Sequence, residues 1–498
     1  MSLAEPRHEI AGYLPEHLGA VRQPGPAGEL RLQVTALGFA RSSQMLHRAG
    51  ARFVTLLLAQ APEPAIQGAF AMRGDLVVLS APVNAGETPT YTALGPWWPA
   101  AQWSEQELAD RHGVHPVGLV AIPNLVHPDA DACDQSIAGL DVFSLPYGPV
   151  RSGVFEAIQF LIETGGEDVT RVATRPFFKH RGLERRVVGM TPTEAVHVTE
   201  RIAGISGVAY ALAFCHAVER ALGIEVPARA ERWRAVHAEL ERMANHLDVI
   251  AKQAETAALS VGQARFQILK ERVQRLRATL TGSRFGRGAL TPGGVRSEPT
   301  VSREELLAEI DSLERELRSD RRRFLRTASM TDRLIGTGRL PRSLAEDYAS
   351  VGPVARGSGV STDARHERPY GEYRRLGLEV VTHRTEDAMS RVLVRFGELT
   401  ESLRILRQAI GHLNRNGAGL SAPIPFDAGG YAFGWAEAAQ GEVVIRVELC
   451  DGLISRLHVA SPSLRNWALF DQAFPQDVLT DFAFIEHSFG LSPAGADR

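Results

Sequence analysis

The chain has 498 residues, 44% of them hydrophobic and 23% charged, with a net charge of −3. That length accommodates two or three domains, and the near-balanced charge argues against nucleic-acid binding or a polybasic membrane anchor. The three cysteines, Cys133, Cys215 and Cys450, lie far apart with no C-x-x-C pair. This excludes a cysteine-ligated metal centre or cluster and a disulfide framework, and it points to a reducing compartment.

Met1 to Leu14 has no basic flank followed by an apolar stretch, so neither a secretory nor a transit signal is expected. Leu30 to Leu37 and Phe53 to Leu58 have strand character. Ala69 to Met72 and Leu76 to Leu79 flank Arg73-Gly74-Asp75, a hairpin turn. The Pro/Trp stretch Gly95 to Pro99, the segment Trp103 to Gly113 and the loop His127-Pro128-Asp129 follow. A domain boundary is placed near residue 133. The fold class expected is α+β: a small α+β domain over 1–133, then a mainly helical bundle with small β elements over 134–498.

The second part opens at Thr191-Pro192-Thr193-Glu194, with Thr at the N-cap, Pro at the first helical position and Glu completing a capping box. One helix is predicted from there to Leu222, stopped by Gly223. The stretch Ile202 to Val218 is uncharged, but polar residues and glycines interrupt it. No apolar run approaches the roughly 20 residues that span a bilayer, so any membrane association runs through partners. A second helix begins near Arg229, with Trp233, Val236, Leu240, Met243, Leu247 and Ile250 on one stripe. A third covers Phe266 to Leu280. A fourth starts at the capping box Ser302-Arg303-Glu304-Glu305 and runs, heavily charged, through Arg326. A fifth carries Phe396, Leu399, Leu403, Leu406, Ile410 and Leu413. Long antiparallel helices of this kind make a bundle. After Asn416 two strands, Glu442 to Leu449 and Ile454 to Val459, flank Asp451-Gly452.

Several short motifs stand out. His180-Arg181-Gly182-Leu183-Glu184 precedes the first bundle helix, and alone it reads as a solvated glycine turn. Small residues dominate from Ala203 to Ala213, which implies close packing, and each glycine there costs a helix about 1 kcal/mol relative to alanine. His237 and Glu241 share a helical face, but His237 and His246 are nine residues apart, which is not the spacing of a zinc pair. No Rossmann glycine loop, Walker loop or nucleophile elbow is present, so direct NAD or ATP chemistry has no support in the residues. The apolar run of the last residues predicts a docked C-terminal segment.

Taken in order, the motifs resemble a known family. They are His180-Arg181-Gly182-x-Glu184, Glu200-Arg201-Ile202, Val226-Pro227-Ala228-Arg229-Ala230, Glu239-x-Glu241-Arg242-x-x-Asn245-His246 and Thr281 to Phe285. Pro292 to Val295, Gly352 to Gly359, Pro462 to Trp467 and Asp497-Arg498 complete the series. The set resembles the large subunit of membrane-bound nickel–iron hydrogenases of the formate hydrogenlyase and hydrogenase-4 type, a family shared with the quinone-module large subunit of complex I. Trp103-Ser104-Glu105-Gln106-Glu107-x-x-Asp110-x-x-Gly113 and Pro116-x-Gly118 resemble the small hydrophilic subunit of complex I, here fused in hydrogenase-4 order.

The resemblance implies a peripheral subunit of an NADH:quinone oxidoreductase-like or hydrogenase-related complex, on the cytoplasmic face of a membrane. The partners implied are an iron–sulfur subunit, which carries the cluster, and antiporter-like membrane subunits, with no nucleic acid. Cavity residues implied are His180, Arg181, Glu184 and Arg201. Glu184 is a proton relay if burial raises its pKa, and the opposing expectation is a buried Arg–Glu pair that organises the bundle. The two C-x-x-C pairs of hydrogenases fall on Ala203, Ser206, Ser492 and Gly495, and without thiolates no nickel–iron centre forms. The resemblance to the complex I relatives implies a chain that ends at Arg498 without a cleaved C-terminal extension. Quinone is the cofactor the complex I branch implies. The stretch Pro146 to Gly153 lacks the expected histidine and the expected tyrosine falls on Gly204, which leaves Tyr147 and Tyr210 as quinone-pocket candidates. The alternative is a catalytically silent coupling subunit.

Overall fold

The computed structural model describes residues 20–60, 63–84, 86, 88–119, 125–126, 142–151, 156–298, 301–413, 419–425, 427–474 and 477–498. The expected domain boundary near residue 133, Cys133, Met1 to Leu14, the loop 127–129, Ser152 and Gly153, and Asn416 lie outside them.

The first unit is a five-stranded sheet ordered β1-β2-β5-β4-β3, built from β1 (Val21–Gln23), β2 (Glu29–Gln33), β3 (Arg52–Ala59), β4 (Ala65–Met72) and β5 (Asp75–Pro82). The Arg73-Gly74 turn is a two-residue hairpin loop with φ of 47° and 86°, the left-handed pair that matches strand twist. The expected strand Leu30 to Leu37 ends at Gln33, and a helix, α1 (Ala36–Arg48), follows at once. The physical reason is Thr35, whose hydroxyl accepts the Gly38 N–H as an N-cap. Helix α2 (Gln102–His112) covers the sheet edge and stops at Gly113 in the left-handed conformation.

Within α2, Glu105 is fully buried and accepts the N–H groups of Leu94 (2.6 Å) and Gly95 (3.1 Å). Burial pushes its carboxyl up to about 7 against those donors. The folded state therefore holds a proton that the unfolded chain has released, and stability falls as pH rises from about 4.5 to 7. Two and a half units correspond to roughly 3 kcal/mol. Denaturant titrations at several pH values are expected to show this decline in the parent and a flatter profile in Glu105→Gln. Equal slopes in the two would remove Glu105 as the cause.

A second, three-stranded antiparallel sheet comprises β6 (Phe143–Tyr147), β7 (Gln159–Thr164) and β8 (Val169–Arg175). The helical part begins with α3 (Pro192–Thr199), whose Thr191–Glu194 capping box is formed. The single helix expected from Thr191 to Leu222 is instead two. Residues 200–206 form a turn, and α4 (Gly207–Leu222) starts afresh. Gly207 explains the break: a Cβ there would lie 2.5 Å from the Glu200 carbonyl oxygen, so only glycine lets the chain fold back so tightly.

The long helices are α5 (Ala228–Thr256), α6 (Ser260–Thr281), α7 (Arg303–Arg326) and α8 (Ala388–Gly411). The stripe Trp233, Val236, Leu240, Met243, Leu247 and Ile250 is buried throughout, and α5 packs against α6 and α8. The capping box at Ser302 and Glu305 is present. A meander of β9 (Gly430–Ala438), β10 (Gly441–Cys450) and β11 (Leu453–Ala460) closes over α4, with Asp451-Gly452 as its second tight turn. Helix α9 (Pro462–Phe470) and a short terminal helix, α10 (Pro493–Asp497), complete the core. The first sheet docks on the meander. Glu29 accepts from the Phe433 N–H, Arg52 pairs with Glu442, and Thr55 bonds His458. No helix among the described residues is long and apolar enough to cross a membrane.

Candidate functional site

Two turns meet beneath α4. One is 200–206, created by the helix break. The other is the start of α10, where the Ser492 hydroxyl accepts the Gly495 N–H (3.0 Å) as N-cap. These turns carry the four positions where the resemblance places thiolate ligands. Ala203, Ser206, Ser492 and Gly495 are all buried. A Cβ built on Gly495 would stand 3.3 Å from the Ala203 Cβ and 3.4 Å from the Ser492 Cβ. The same point lies 3.2 Å from the hydroxyl of Tyr210, from the first turn of α4.

Tyr210 is thus one of the sequence candidates that the fold brings to the centre. It is 1% exposed, and its hydroxyl is 2.9 Å from the Ser461 hydroxyl. Burial pushes the phenol up to about 12, so it stays protonated at neutral pH. The two serine hydroxyls are engaged as donors: Ser206 to Gln440 Oε1 at 2.5 Å, Ser492 to Glu156 Oε2 at 2.8 Å. Ser463 accepts the Ser492 N–H. The donor set is therefore two committed hydroxyls, a methyl group and a bare α-carbon, with a phenol close by. A soft nickel–iron centre needs thiolates, and this set does not fit one.

The His180–Glu184 motif holds the two turns together. Arg181 donates to the carbonyls of Arg201 (3.0 Å), Ile202 (2.6 Å) and Ala494 (3.0 Å), bridging both turns from an exposed position. Its own N–H donates to the Arg498 carbonyl, and His180 Nδ1 donates to that of Asp497 at 2.6 Å. The Asp497 carboxylate takes the Phe177 and Lys179 N–H groups, yet burial holds its pKa up at about 6. Arg201 is half exposed. Its partners are Glu200 and the His197 carbonyl, so it is not gathered with the others.

Glu184 requires a correction. Burial does push its carboxyl up, but Arg498, His458 and Arg111 together outweigh burial and hold it down at about 2. It accepts from Arg111 (2.9 Å), Arg498 (3.2 Å) and the Val459 N–H (2.8 Å). Its ion-pair partners are Arg111 and Arg498, not Arg201. Glu107 completes the cluster through Arg498 (2.5 Å) and Arg111 (2.5 Å). His180 and Glu184 line a cleft beside it.

Tyr147 lies elsewhere, 40% exposed on β6, edge-on to Phe482 with the Arg151 guanidinium over its ring. His237, Glu241 and His246 go to three separate partners. His237 stacks on Trp233, Glu241 accepts the Val208 and Ala209 N–H groups at the start of α4, and His246 bonds Glu398. Glu241 thus caps the helix that carries Tyr210, whose N-cap residue Ser206 makes no side-chain cap. Among the described residues no group of three or more His, Cys, Asp or Glu side chains is arranged to hold a metal ion. Arg111, His458, Gln440, Ser461 and Glu156 do not stand out in the sequence, and Glu107 does so only within the Trp103–Gly113 motif. The one local signal for Arg111 is its i,i+4 spacing from Glu107 on one helix.

Comparison with known proteins shows the family. The nickel-dependent hydrogenase family profile matches residues 181–249, and that of the respiratory-chain NADH dehydrogenase 49 Kd subunit matches 258–424. An NADH-quinone oxidoreductase subunit of Desulfitobacterium hafniense is 31% identical over 55% of this chain and 74% of its own length. The chain belongs to this family of hydrogenase and complex I large subunits. Within the family, hydrogenase-4 component G of Escherichia coli is 28% identical over 85% of the chain and 78% of its own length. A chain in the structure of the membrane-bound sulfane sulfur reductase, an archaeal respiratory membrane complex, superposes with a TM-score of 0.68 at 24% identity. It covers 72% of this chain and 99% of that one, a likeness of fold. The relatives are subunits of membrane-bound hydrogenases and complex I-like complexes.

Proposed function

We propose that this chain is a peripheral subunit of a hydrogenase-4-related, complex I-like membrane oxidoreductase that works without a nickel–iron centre. One observation carries the reading. Three of the four family ligand positions, Ala203, Ser492 and Gly495, lie in contact distance with the Tyr210 hydroxyl beside them, and the fourth is the buried Ser206. In this reading the bundle docks against an iron–sulfur subunit that supplies electrons, and antiporter-like subunits in the membrane move ions, with the chain on the cytoplasmic face. Quinone is the acceptor proposed. Tyr210 would hold it, since its high pKa keeps a proton available for a hydrogen bond to a carbonyl oxygen. Arg181 acts as a positioning residue through the two turns it bridges. Domains spanning 1–133 and 134–498 belong to the same reading.

A second reading has its own support. The Tyr210 hydroxyl is enclosed by Ser461 and Gly495, and Glu184 is locked as a carboxylate, as in a silent coupling subunit. Isolation of the tagged full-length chain from native membranes distinguishes these. Co-isolation of an iron–sulfur protein and multi-span membrane proteins is expected, and recovery of a lone chain would refute the assignment. Within the isolated complex, Tyr210→Phe is expected to cut quinone reduction sharply. Unchanged turnover would discard the acceptor role and leave the coupling role.

A further inference from the structure

A cleft of about 680 Å³ opens between β3 and α2 on one side and β11 on the other. On the β3 and α2 side its lining includes the largely buried Leu56, Leu57, Leu58 and Leu108. Arg456, Arg185 and His112 also line it. The carboxylates here are already committed. Glu107 and Glu184 are held by Arg111 and Arg498, and Asp110 accepts the Leu125 and Val126 N–H groups at 2.7 and 2.8 Å. Arg456 differs. Its Nη1 is buried and has no hydrogen-bond partner among the described residues. A buried guanidinium N–H without an acceptor is costly; other arginines, such as Arg52 and Arg391, carry one too, and at Arg456 it lies beside a cleft that can hold an acceptor.

Arg111, Arg185 and Arg456 line the cleft with Glu107, Asp110 and Glu184, and Arg498 pairs with Glu107 and Glu184. Burial, then Arg111 and Arg456, push the His112 imidazole down, and burial, then Arg446, lower Arg456 itself. Downward shifts of neighbouring bases mark a positive potential as well as burial.

We propose that this cleft binds a small amphipathic organic anion, with its carboxylate or sulfonate on Arg456 and its apolar body against the lining leucines. The guanidinium fork offers two parallel donors to such a planar group. Arg185 adds charge at the mouth. The site is separate from the Tyr210 centre, so neither reading depends on the other.

The probe is anilinonaphthalene sulfonate, titrated by fluorescence into the full-length chain. One saturable site per chain is expected, displaced by octanoate and far less by inorganic phosphate. Arg456→Gln is expected to weaken binding by about ten-fold, the loss of one charge-assisted contact. Val188→Glu, at a half-exposed position lining the cleft, places a repelling charge at the mouth and should weaken binding similarly. Val261→Glu, in the separate apolar groove between the start of α6 and the end of α7, should leave binding unchanged. The proposal is overturned if Arg456→Gln and Val188→Glu both bind as the parent does. It is equally overturned if Val261→Glu abolishes binding, or if phosphate competes as well as octanoate.

Discussion

Arg356→Ala is expected to lower the stability of the chain by about 3–5 kcal/mol or more, the loss that follows when one partner of a buried ion pair is removed. Arg356 is 0% exposed, in a short helical turn against α8. Its guanidinium donates to Glu398 (2.8 Å), Glu437 (3.0 Å) and the Thr362 carbonyl (2.7 Å), and it lies 3.3 Å from Asp363. Three buried carboxylates, Glu398 on α8, Glu437 on β9 and Asp363 in the segment before α8, thus share one cation. Its removal leaves each with less compensation in a low-dielectric interior. Arg365 still pairs with Asp363 at 2.7 Å, and His246 with Glu398 at 2.8 Å, so the loss falls hardest on Glu437, whose carboxyl burial and Asp363 already push upward. Arg356→Lys keeps the charge but loses the fork, so it should recover only part of the stability. Denaturant midpoints of the three proteins check this. An alanine variant within 1 kcal/mol, on the order of a surface pair, would contradict the network.

Gly434→Ala is expected to be nearly as damaging, although it adds one methyl group. Gly434 lies on β9 where the strand crosses α4. A Cβ there would stand 2.2 Å from both the Ala213 carbonyl oxygen and the Ala217 nitrogen. Both are helix backbone atoms, so no rotamer change relieves the overlap. The helix and sheet must separate, at about 3 kcal/mol or more. The same helix presents Tyr210, so the variant should perturb the Tyr210 environment as well as the melting point. A Gly434→Ala protein of parental stability and near-ultraviolet spectrum would show that α4 and β9 are not packed this closely.

The small residues of α4 connect these points to the sequence. The run from Ala203 to Ala213 implied close packing, and Ala213, Ala217 and Gly434 are where it occurs. What the run did not reveal is the break at 200–206. A Glu-Arg-Ile opening and continuous low polarity read as one helix, because the contact that ends it, between Gly207 and the Glu200 carbonyl, depends on the chain turning back. The bundle helices were readable from their stripes and capping boxes, since both are local periodicities. Helix α1 was not, because its start rests on the single hydroxyl of Thr35 after a run of strand-like residues.

Motif order alone assigned the ligand positions, and the fold brings Ala203, Gly495 and Ser492 close to one another. The arrival of Tyr210 at their centre was not singled out from Tyr147, since nothing local distinguishes the two. The Glu107–Arg498 and Glu184–Arg498 pairs join residues separated by 391 and 314 positions, and no spacing rule reaches that far. Glu184 shows the consequence: burial alone predicts a raised pKa, while three basic side chains from distant segments reverse the sign.

We propose that the family metal site holds hydroxyl groups in place of thiolates in this chain. Nickel measured by elemental analysis in the complex isolated from native membranes tests it most directly. The expected result is nickel far below one atom per chain, unaltered by nickel supplied during growth. One nickel per chain, retained through purification, would contradict the account.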